Sequence, residues 1–284
     1  MKLKNPQLPI RRDLKFNLPA ERITDWHTGG GPVFTAFLNT FSIVLPVGER
    51  FFIQSVRNYR DAVTDPELKK AVTAFIGQEA MHGREHEEYN EALFARTPVA
   101  PKFERLVGNL LGQGQKRLPQ AAQLSITIAL EHFTALLADS VLREPRLTEN
   151  AEPHFSALWH WHALEETEHK AVAFDVYQTV MGRGPRAYAV RSLGMAISTV
   201  LFWSLVTPTF LQVLRTEGKL TDWGGWRKFF RYTMGDIGLL RRQLPTWVDY
   251  FRPGFHPWDH DNHDYLKDIE AFAAPWQAKT RAAA

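Results

Sequence analysis

The sequence of 284 residues contains no cysteine. This absence excludes disulfides, thiolate nucleophiles and iron–sulfur clusters, and it agrees with a reducing cytoplasm. Long blocks of lysine or arginine are also absent and the formal net charge is only +3, so no nucleic acid partner is expected. The first residues carry basic side chains without a continuous apolar run, which predicts no secretory signal and a cytoplasmic location.

Histidine and glutamate cluster in two short stretches that are otherwise rich in helix-forming residues. In WHWHALEETEHK, His162, Glu166 and His169 are spaced i, i+4 and i+7, which places them on one face of a helix. Upstream, QEAMHGREHEEYN repeats the pattern with Glu79 and His82 as a Glu-x-x-His pair. Imidazoles and carboxylates that share a helix face are typical of a metal site, and a charged helix with structural core histidines is the alternative.

A single glutamate within an apolar helical run precedes each Glu-x-x-His pair. Glu49 lies in FSIVLPVGERFFI and Glu131 lies in LSITIALEHFTALL. A carboxylate in such surroundings is costly to bury unless a partner or a metal ion compensates it. The chain order matches a di-metal four-helix bundle, in which two helices each give a Glu and two each give a Glu-x-x-His. This pattern predicts six metal ligands: Glu49, Glu79, His82, Glu131, Glu166 and His169.

Proline and glycine divide the rest of the chain into helical segments, which predicts an all-α fold. We expect an irregular arm over residues 1–30, a di-metal four-helix bundle over 31–184 and a helical extension over 185–284. The bundle helices are expected near 32–63, 66–96, 119–142 and 153–181, with Pro46 as a kink or a break. A short amphipathic segment near 101–112 should end at Gly112 and Gly114.

The extension contains no charged residue between Arg191 and Arg215. The uncharged run is long enough to cross a bilayer, but it also contains Ser, Thr, Gln and Pro208. A buried helix that covers the bundle is the first interpretation, and a helix on or in a membrane is the second. His132, on the third core helix, is interpreted as a structural or surface residue. His256, His260 and His263 are interpreted as parts of a solvated, capped loop, with a second metal site as the alternative.

The ordered glutamates and histidines resemble the ferritin-like di-iron carboxylate superfamily of oxygenases, oxidases and ribonucleotide reductase small subunits. His162, four residues before Glu166, is similar to the third histidine of the 4-aminobenzoate N-oxygenase family. The amino-acid sequences of the two motif stretches resemble those of the bacterial family of predicted metal-dependent hydrolases. The resemblance implies a ferritin-like bundle in which Glu79 and Glu166 are bridging carboxylates and Glu49 and Glu131 are terminal carboxylates. It also implies that His82 and His169 each bind one metal and that His162 is an added ligand.

His86 follows His82 by one helical turn and departs from the general superfamily pattern. It is a further ligand, a hydrogen-bonding partner of a ligand, or an acid–base group, and we take it as the candidate catalytic residue.

Two kinds of enzyme fit such a site. The main prediction, from the superfamily resemblance, is an oxygenase or oxidase with two iron ions that uses O2 on a small apolar substrate. Its pocket would be kept dry by aromatic residues: Phe52, Phe133, Trp159 and Phe174. The alternative is a hydrolase, with manganese or zinc as other possible metals, in which two metals lower the pKa of a water molecule. A non-catalytic iron-binding protein is the third candidate. The electron donor is unknown, and a homodimer and peripheral membrane contact are left open.

Overall fold

The computed structural model describes residues 8–277. Within this range no β-strand occurs, and two isolated bridges join Leu14 to Gln277 and His27 to Ala151. The predicted all-α class is confirmed. The parts of the predicted arm and extension that fall on residues 1–7 and 278–284 lie outside the described residues.

The helices of the described residues differ widely in length, and six of them make up the predicted bundle region. They are α1 (Gly31–Arg57), α2 (Pro66–Phe94), α3 (Ala100–Arg117), α4 (Gln120–Arg143), α5 (Pro153–His169), α6 (Val172–Met181), α7 (Pro185–Thr216), α8 (Trp223–Thr233), α9 (Leu244–Asp249) and α10 (Ile269–Ala273).

The helices that carry the predicted ligands begin close to the expected residues, because their N-terminal boundaries have local signals. The Asp65 side chain accepts hydrogen bonds from the backbone N–H groups of Glu67 and Leu68, and Pro66 occupies the first position of α2. Pro46 lies inside α1 and does not divide it. The prediction that the first helix reaches residue 63 was wrong, since α1 ends at Arg57.

Two other boundaries depend on tertiary contacts. α3 does not end at Gly112 but continues to Arg117. The expected fourth helix is divided after His169, because Lys170 and Ala171 separate α5 from α6. The Lys170 ammonium donates to the His260 carbonyl and to Asn262 Oδ1, both at 2.7 Å, and lies over the Trp258 ring. The C-terminal segment therefore anchors the residue at which the helix breaks.

The helices pack so that the polar motifs meet in the interior. α1 packs along α2 and α4 packs along α5, while α3 lies on α1 and α7 crosses α4 and α1. Along α2, Glu79 and His82 lie between Phe75 of one apolar cluster and Tyr89 of another. The titratable side chains are thus enclosed by apolar packing on both sides.

Among residues 8–277, three helices are long and apolar enough, by length and composition, to cross a membrane. In the most apolar 18-residue segment of each helix, the share that is buried within the protein is 67% for α1 and 56% for α4, but 33% for α7. α7 therefore covers the other helices with one face and leaves the opposite face exposed. The first interpretation, a helix that covers the bundle, therefore holds for one face of α7, and contact with a membrane stays a prediction.

Candidate metal centre

Two groups of buried side chains bring ligand atoms within 4.8 Å of one another. The first group consists of Glu49, His82 and His162, and thus has one carboxylate and two imidazoles. The second group consists of Glu79, Glu166 and His169, and thus has two carboxylates and one imidazole. The seventh predicted ligand, Glu131, lies beside the second group, with Oε2 at 3.6 Å from His169 Nε2. The structure thus brings together all seven residues that the sequence singled out as ligands.

Two of the glutamates lie between the two groups. Glu166 Oε1 is 3.0 Å from His162 Nε2, and its Oε2 is 3.5 Å from His169 Nε2. Glu79 Oε1 is 3.1 Å from His169 Nε2 and 3.8 Å from His82 Nδ1. Each carboxylate therefore faces imidazoles of both groups, which is the arrangement that a bridging ligand requires.

The donor atoms at the centre lack the partners that a buried polar atom normally has. No hydrogen bond reaches either carboxylate oxygen of Glu49, Glu79 or Glu131, nor His82 Nδ1 or His169 Nε2. No lysine or arginine among residues 8–277 forms an ion pair with these carboxylates or with Glu166. Buried polar atoms are rarely left in this condition, and buried charges are paired or coordinate metals. The donor set therefore fits two divalent cations, whose charge would balance four carboxylates.

The pKa shifts of the metal-free cluster have the same origin. Burial raises the pKa of Glu49 and of Glu131 well above the usual range, and neighbouring carboxylates raise it further. Burial acts on Glu166 in the same direction, but the adjacent His169 and His162 outweigh it and hold the pKa of Glu166 well below its usual value. The pKa of His169 is raised in spite of burial, because Glu166 faces it. Protons therefore supply the positive charge that a metal ion would otherwise supply.

Gly83 allows Glu49 to enter the cluster. A Cβ atom at Gly83 would lie 3.1 Å from Glu49 Oε2, which is tighter than ordinary van der Waals contact. The absence of a side chain beside His82 thus gives the α1 carboxylate its place against α2.

A second layer of polar residues orients the imidazoles. His82 Nε2 lies 3.1 Å from Glu165 Oε2, and His169 Nδ1 lies 2.9 Å from Gln78 Oε1. Gln78 also donates to Glu168 Oε2 at 2.6 Å. Because one nitrogen of each ring is held in this way, the opposite nitrogen faces the centre, as is usual for histidine ligands.

Arg12 connects this second layer to the N-terminal arm. Its guanidinium donates to Glu165 Oε1 at 3.2 Å, to Glu168 Oε2 at 2.9 Å and to Glu270 Oε1 at 2.6 Å. Burial raises the pKa of Glu165 to about 7, although Arg12 lowers it. No sequence pattern singled out Arg12. Glu165 and Glu168 lie in the stretch WHWHALEETEHK three residues apart, and this spacing on one helix face is the signal that could have indicated the second layer.

His86 lies outside both groups, although it is fully buried. Its Nδ1 is 2.9 Å from Ser42 Oγ, and Ser42 Oγ donates to Asn90 Oδ1, so His86 Nδ1 must be the donor to Ser42. Burial lowers the pKa of His86, so its Nε2 carries no proton and accepts from His162 Nδ1 at 2.9 Å. These hydrogen bonds direct His162 Nε2 toward Glu166 Oε1, 3.0 Å away, so Nε2 is the ring nitrogen that could bind a metal ion. The structure shows His86 as the partner of a predicted ligand, and its catalytic role stays a prediction.

An apolar cavity of about 320 Å³ reaches Glu166 and His162. Three of the four aromatic residues predicted to keep the site dry contribute to its walls: Phe52, Phe133 and Trp159. The prediction for Phe174 was wrong, because that ring packs in an apolar cluster and borders a separate cavity near Arg191.

The remaining histidines take no part in either group. His132 is buried with Nε2 at 3.4 Å from the Thr246 carbonyl, and burial lowers its pKa to about 3, which agrees with a structural role. His256 is buried against Asp175 and caps a short helical turn, so it is not solvated as expected. His260 is exposed and pairs with Asp249.

One family model matches the chain, over residues 10–261, and its description is predicted metal-dependent hydrolase. The matched range includes both groups, Glu131 and Arg12. No curated protein and no solved structure gave a match.

Proposed function

Because the chain belongs to the family described as predicted metal-dependent hydrolases, we propose that it binds two divalent metal ions and hydrolyses a small apolar substrate. The observation that carries this proposal is the set of buried carboxylate and imidazole atoms without hydrogen-bond partners, at the inner end of an apolar cavity. A ferritin-like arrangement of the ligand helices is part of the proposal.

The metal ions would supply the activation of water and the polarisation of the bond that is cleaved. The protein residues would hold this chemistry in place. Glu166 keeps the two groups together and is itself fixed by a hydrogen bond from the Thr134 hydroxyl. His86 holds the proton of His162 on Nδ1, so that His162 Nε2 stays available to a cation. The aromatic walls would exclude bulk water and bind the apolar part of the substrate.

A second candidate is O2-dependent oxidation of an apolar substrate by a di-iron centre, and the chemistry of the cavity favours it. The walls are almost entirely apolar and include no lysine or arginine that would bind a carbonyl oxygen or an anionic leaving group. Oxidation of a hydrocarbon needs no such group, whereas ester or phosphoester hydrolysis usually benefits from one. This reaction would also require an electron donor.

One set of measurements separates the two candidates. Protein purified without chelator is analysed for metal content, and its absorption spectrum is recorded after anaerobic reduction and again after O2 is admitted. Hydrolysis of ester, amide or phosphoester substrates without O2, lost on chelation and restored by zinc or manganese, is the expected result. Two irons per chain with a spectral response to O2, and no hydrolysis, would instead support the oxidation. Fewer than one metal ion per chain after reconstitution would contradict both.

A further inference from the structure

The apolar cavity has its outer end between α3 and α7. Four of the residues that line it are also exposed on the protein surface: Leu110 of α3, Leu118 directly after the end of α3, and Ile197 and Leu201 of α7. The inner end is at His162 and Glu166. The cavity therefore connects the metal cluster with the surface, and its mouth is bordered by exposed leucine and isoleucine side chains.

The mouth belongs to a larger apolar face on α7. Leu193, Ile197, Val200 and Leu201 follow the spacing i, i+4, i+7 and i+8, so they point the same way. Leu193, Val200 and Leu201 are 60%, 66% and 56% exposed. Contiguous apolar surface of this kind is rare on a monomer unless it meets a partner or a membrane. We call these residues, with Leu110 and Leu118, the α3–α7 face.

Exposed cationic residues occur on both helices that contribute to the α3–α7 face. Arg186 and Arg215 are exposed near the two ends of α7. The exposed cationic residues of α3 are Lys102, Arg105, Lys116 and Arg117. A second copy of the chain would bring these like charges together, which disfavours self-association through this face. An anionic lipid surface complements both features, because it offers acyl chains to the apolar residues and negative headgroups to the cations.

The packing of α7 also determines its orientation to such a surface. The face opposite Leu193 and Val200 packs on α1 and α4, and it includes the buried residues Met195 and Val206. α7 could cross a bilayer only if these contacts were broken. It is therefore positioned to lie along the surface, with its exposed side chains inserted at the level of the headgroups and upper acyl chains.

We propose that the α3–α7 face docks on anionic membranes and that a single-chain apolar lipid enters the cavity directly from the bilayer. The substrate class rests on the proposed function, whereas the docking does not. The mouth lies within the docking face, so an acyl chain could reach the metal cluster without passing through water.

Docking is tested by co-sedimentation with phosphatidylserine-containing vesicles at low salt, with neutral phosphatidylcholine vesicles alongside. The wild type should bind the anionic vesicles, and the double variant L193E/V200E should bind at least about tenfold more weakly. Neither of its residues lines the cavity. The matched control is Thr73→Glu, which adds a charge at an exposed position of α2 and should bind like the wild type. Circular dichroism and metal content should be unchanged in all variants.

Three outcomes overturn the docking proposal. They are failure of the wild type to bind anionic vesicles, equal binding by L193E/V200E, and a dimer in solution that L193E/V200E converts to monomer without any vesicle binding. Metal binding by the wild type and its turnover of a water-soluble substrate report on the proposed function separately. Their failure in wild-type protein that still docks would refute the function and leave the docking intact.

Entry through the mouth is tested with a fluorescent single-chain fatty acid, cis-parinaric acid, as the probe. Leu201→Trp should narrow the mouth and weaken probe binding severalfold, whereas Leu193→Trp, on the same helix but outside the cavity lining, should not. Binding that is equal in both variants, or absent in the wild type, would contradict lipid entry by this route.

Discussion

At the residue scale, the centre is defined by buried carboxylates that form no ion pair with a lysine or arginine among residues 8–277. Glu131 is the clearest case, since both of its oxygens are buried without a hydrogen bond and α4 supplies only apolar and small neighbours around it. The sequence identified this residue because an acid within an apolar helical run requires compensation. It could not show that Glu131 stands beside the second group rather than within it.

Replacing Glu131 with Gln or Ala should reduce the metal content from two ions per chain to about one, because the variant removes one charged ligand and preserves the apolar packing of α4. Metal analysis by mass spectrometry measures this directly. The control is Glu91→Gln, which neutralises an exposed carboxylate of α2 outside the cluster. Two tightly bound ions in the Glu131 variants would show that this residue is not a ligand.

Metal affinity should fall as the pH falls. The pKa values of Glu49 and Glu131 are raised in the metal-free protein, so these carboxyls keep their protons at pH values where an exposed glutamate has lost its proton. Cations must displace those protons, and binding should therefore release protons and strengthen as the pH rises toward neutrality. Calorimetry in buffers of different ionisation enthalpy measures the release. Affinity independent of pH between 5 and 7.5 would contradict the prediction.

At the element scale, the ligand helices were predictable and two connections were not. The cap at Asp65 and the proline that follows it are local signals, and α2 begins where they indicate. By contrast, α3 continues through Gly112 and Gly114, and α5 ends after His169. In α3 the residues Gly108 and Gly114 approach Val47 and Phe51 of α1, so tertiary packing outweighs the low helix propensity of glycine.

Gly83→Ala tests whether α1 and α2 must approach closely for the first group to form. The added methyl would crowd Glu49 Oε2 and should weaken metal binding, even though alanine favours the helix by up to about 1 kcal/mol. The control, Gly112→Ala, adds the same methyl where no atom lies within 4 Å, and it should stabilise the fold without changing metal affinity. Metal titration combined with thermal unfolding separates the effects. Equal metal affinity in the two variants would refute the role of Gly83.

At the scale of the whole molecule, residues far apart in the chain combine around the cluster. Arg12 of the N-terminal arm, Glu165 and Glu168 of α5 and Glu270 of α10 form one network of ion pairs. Only the three-dimensional path of the chain brings them together. The arm was predicted as irregular, and no local sequence pattern indicates that it takes part in the site.

Arg12→Gln should weaken metal binding by about 10- to 100-fold. Glu165, which holds His82, and Glu168, which holds Gln78 against His169, would lose their common partner. The loss of Arg12 should also raise the pKa of Glu165 further and make this carboxyl a poorer acceptor. Arg11→Gln removes the same charge one residue earlier, where the side chain is exposed and its guanidinium donates to Met81 Sδ at 3.7 Å, and it should bind metal like the wild type. Equal metal affinity of the two variants, measured by competition with a chelator, would refute the positioning role.

The sequence by itself determined the all-α class, the ligand-bearing helices and the seven candidate ligands, because helical periodicity and the cost of burying a charge are local properties. Only the tertiary structure decided how the ligands divide into two groups, that His86 contacts His162, and that Arg12 supports both groups. It also decided that Phe174 lies away from the cavity and that the cavity opens between α3 and α7. These features depend on contacts between residues distant in the chain, and no short-range pattern encodes such contacts.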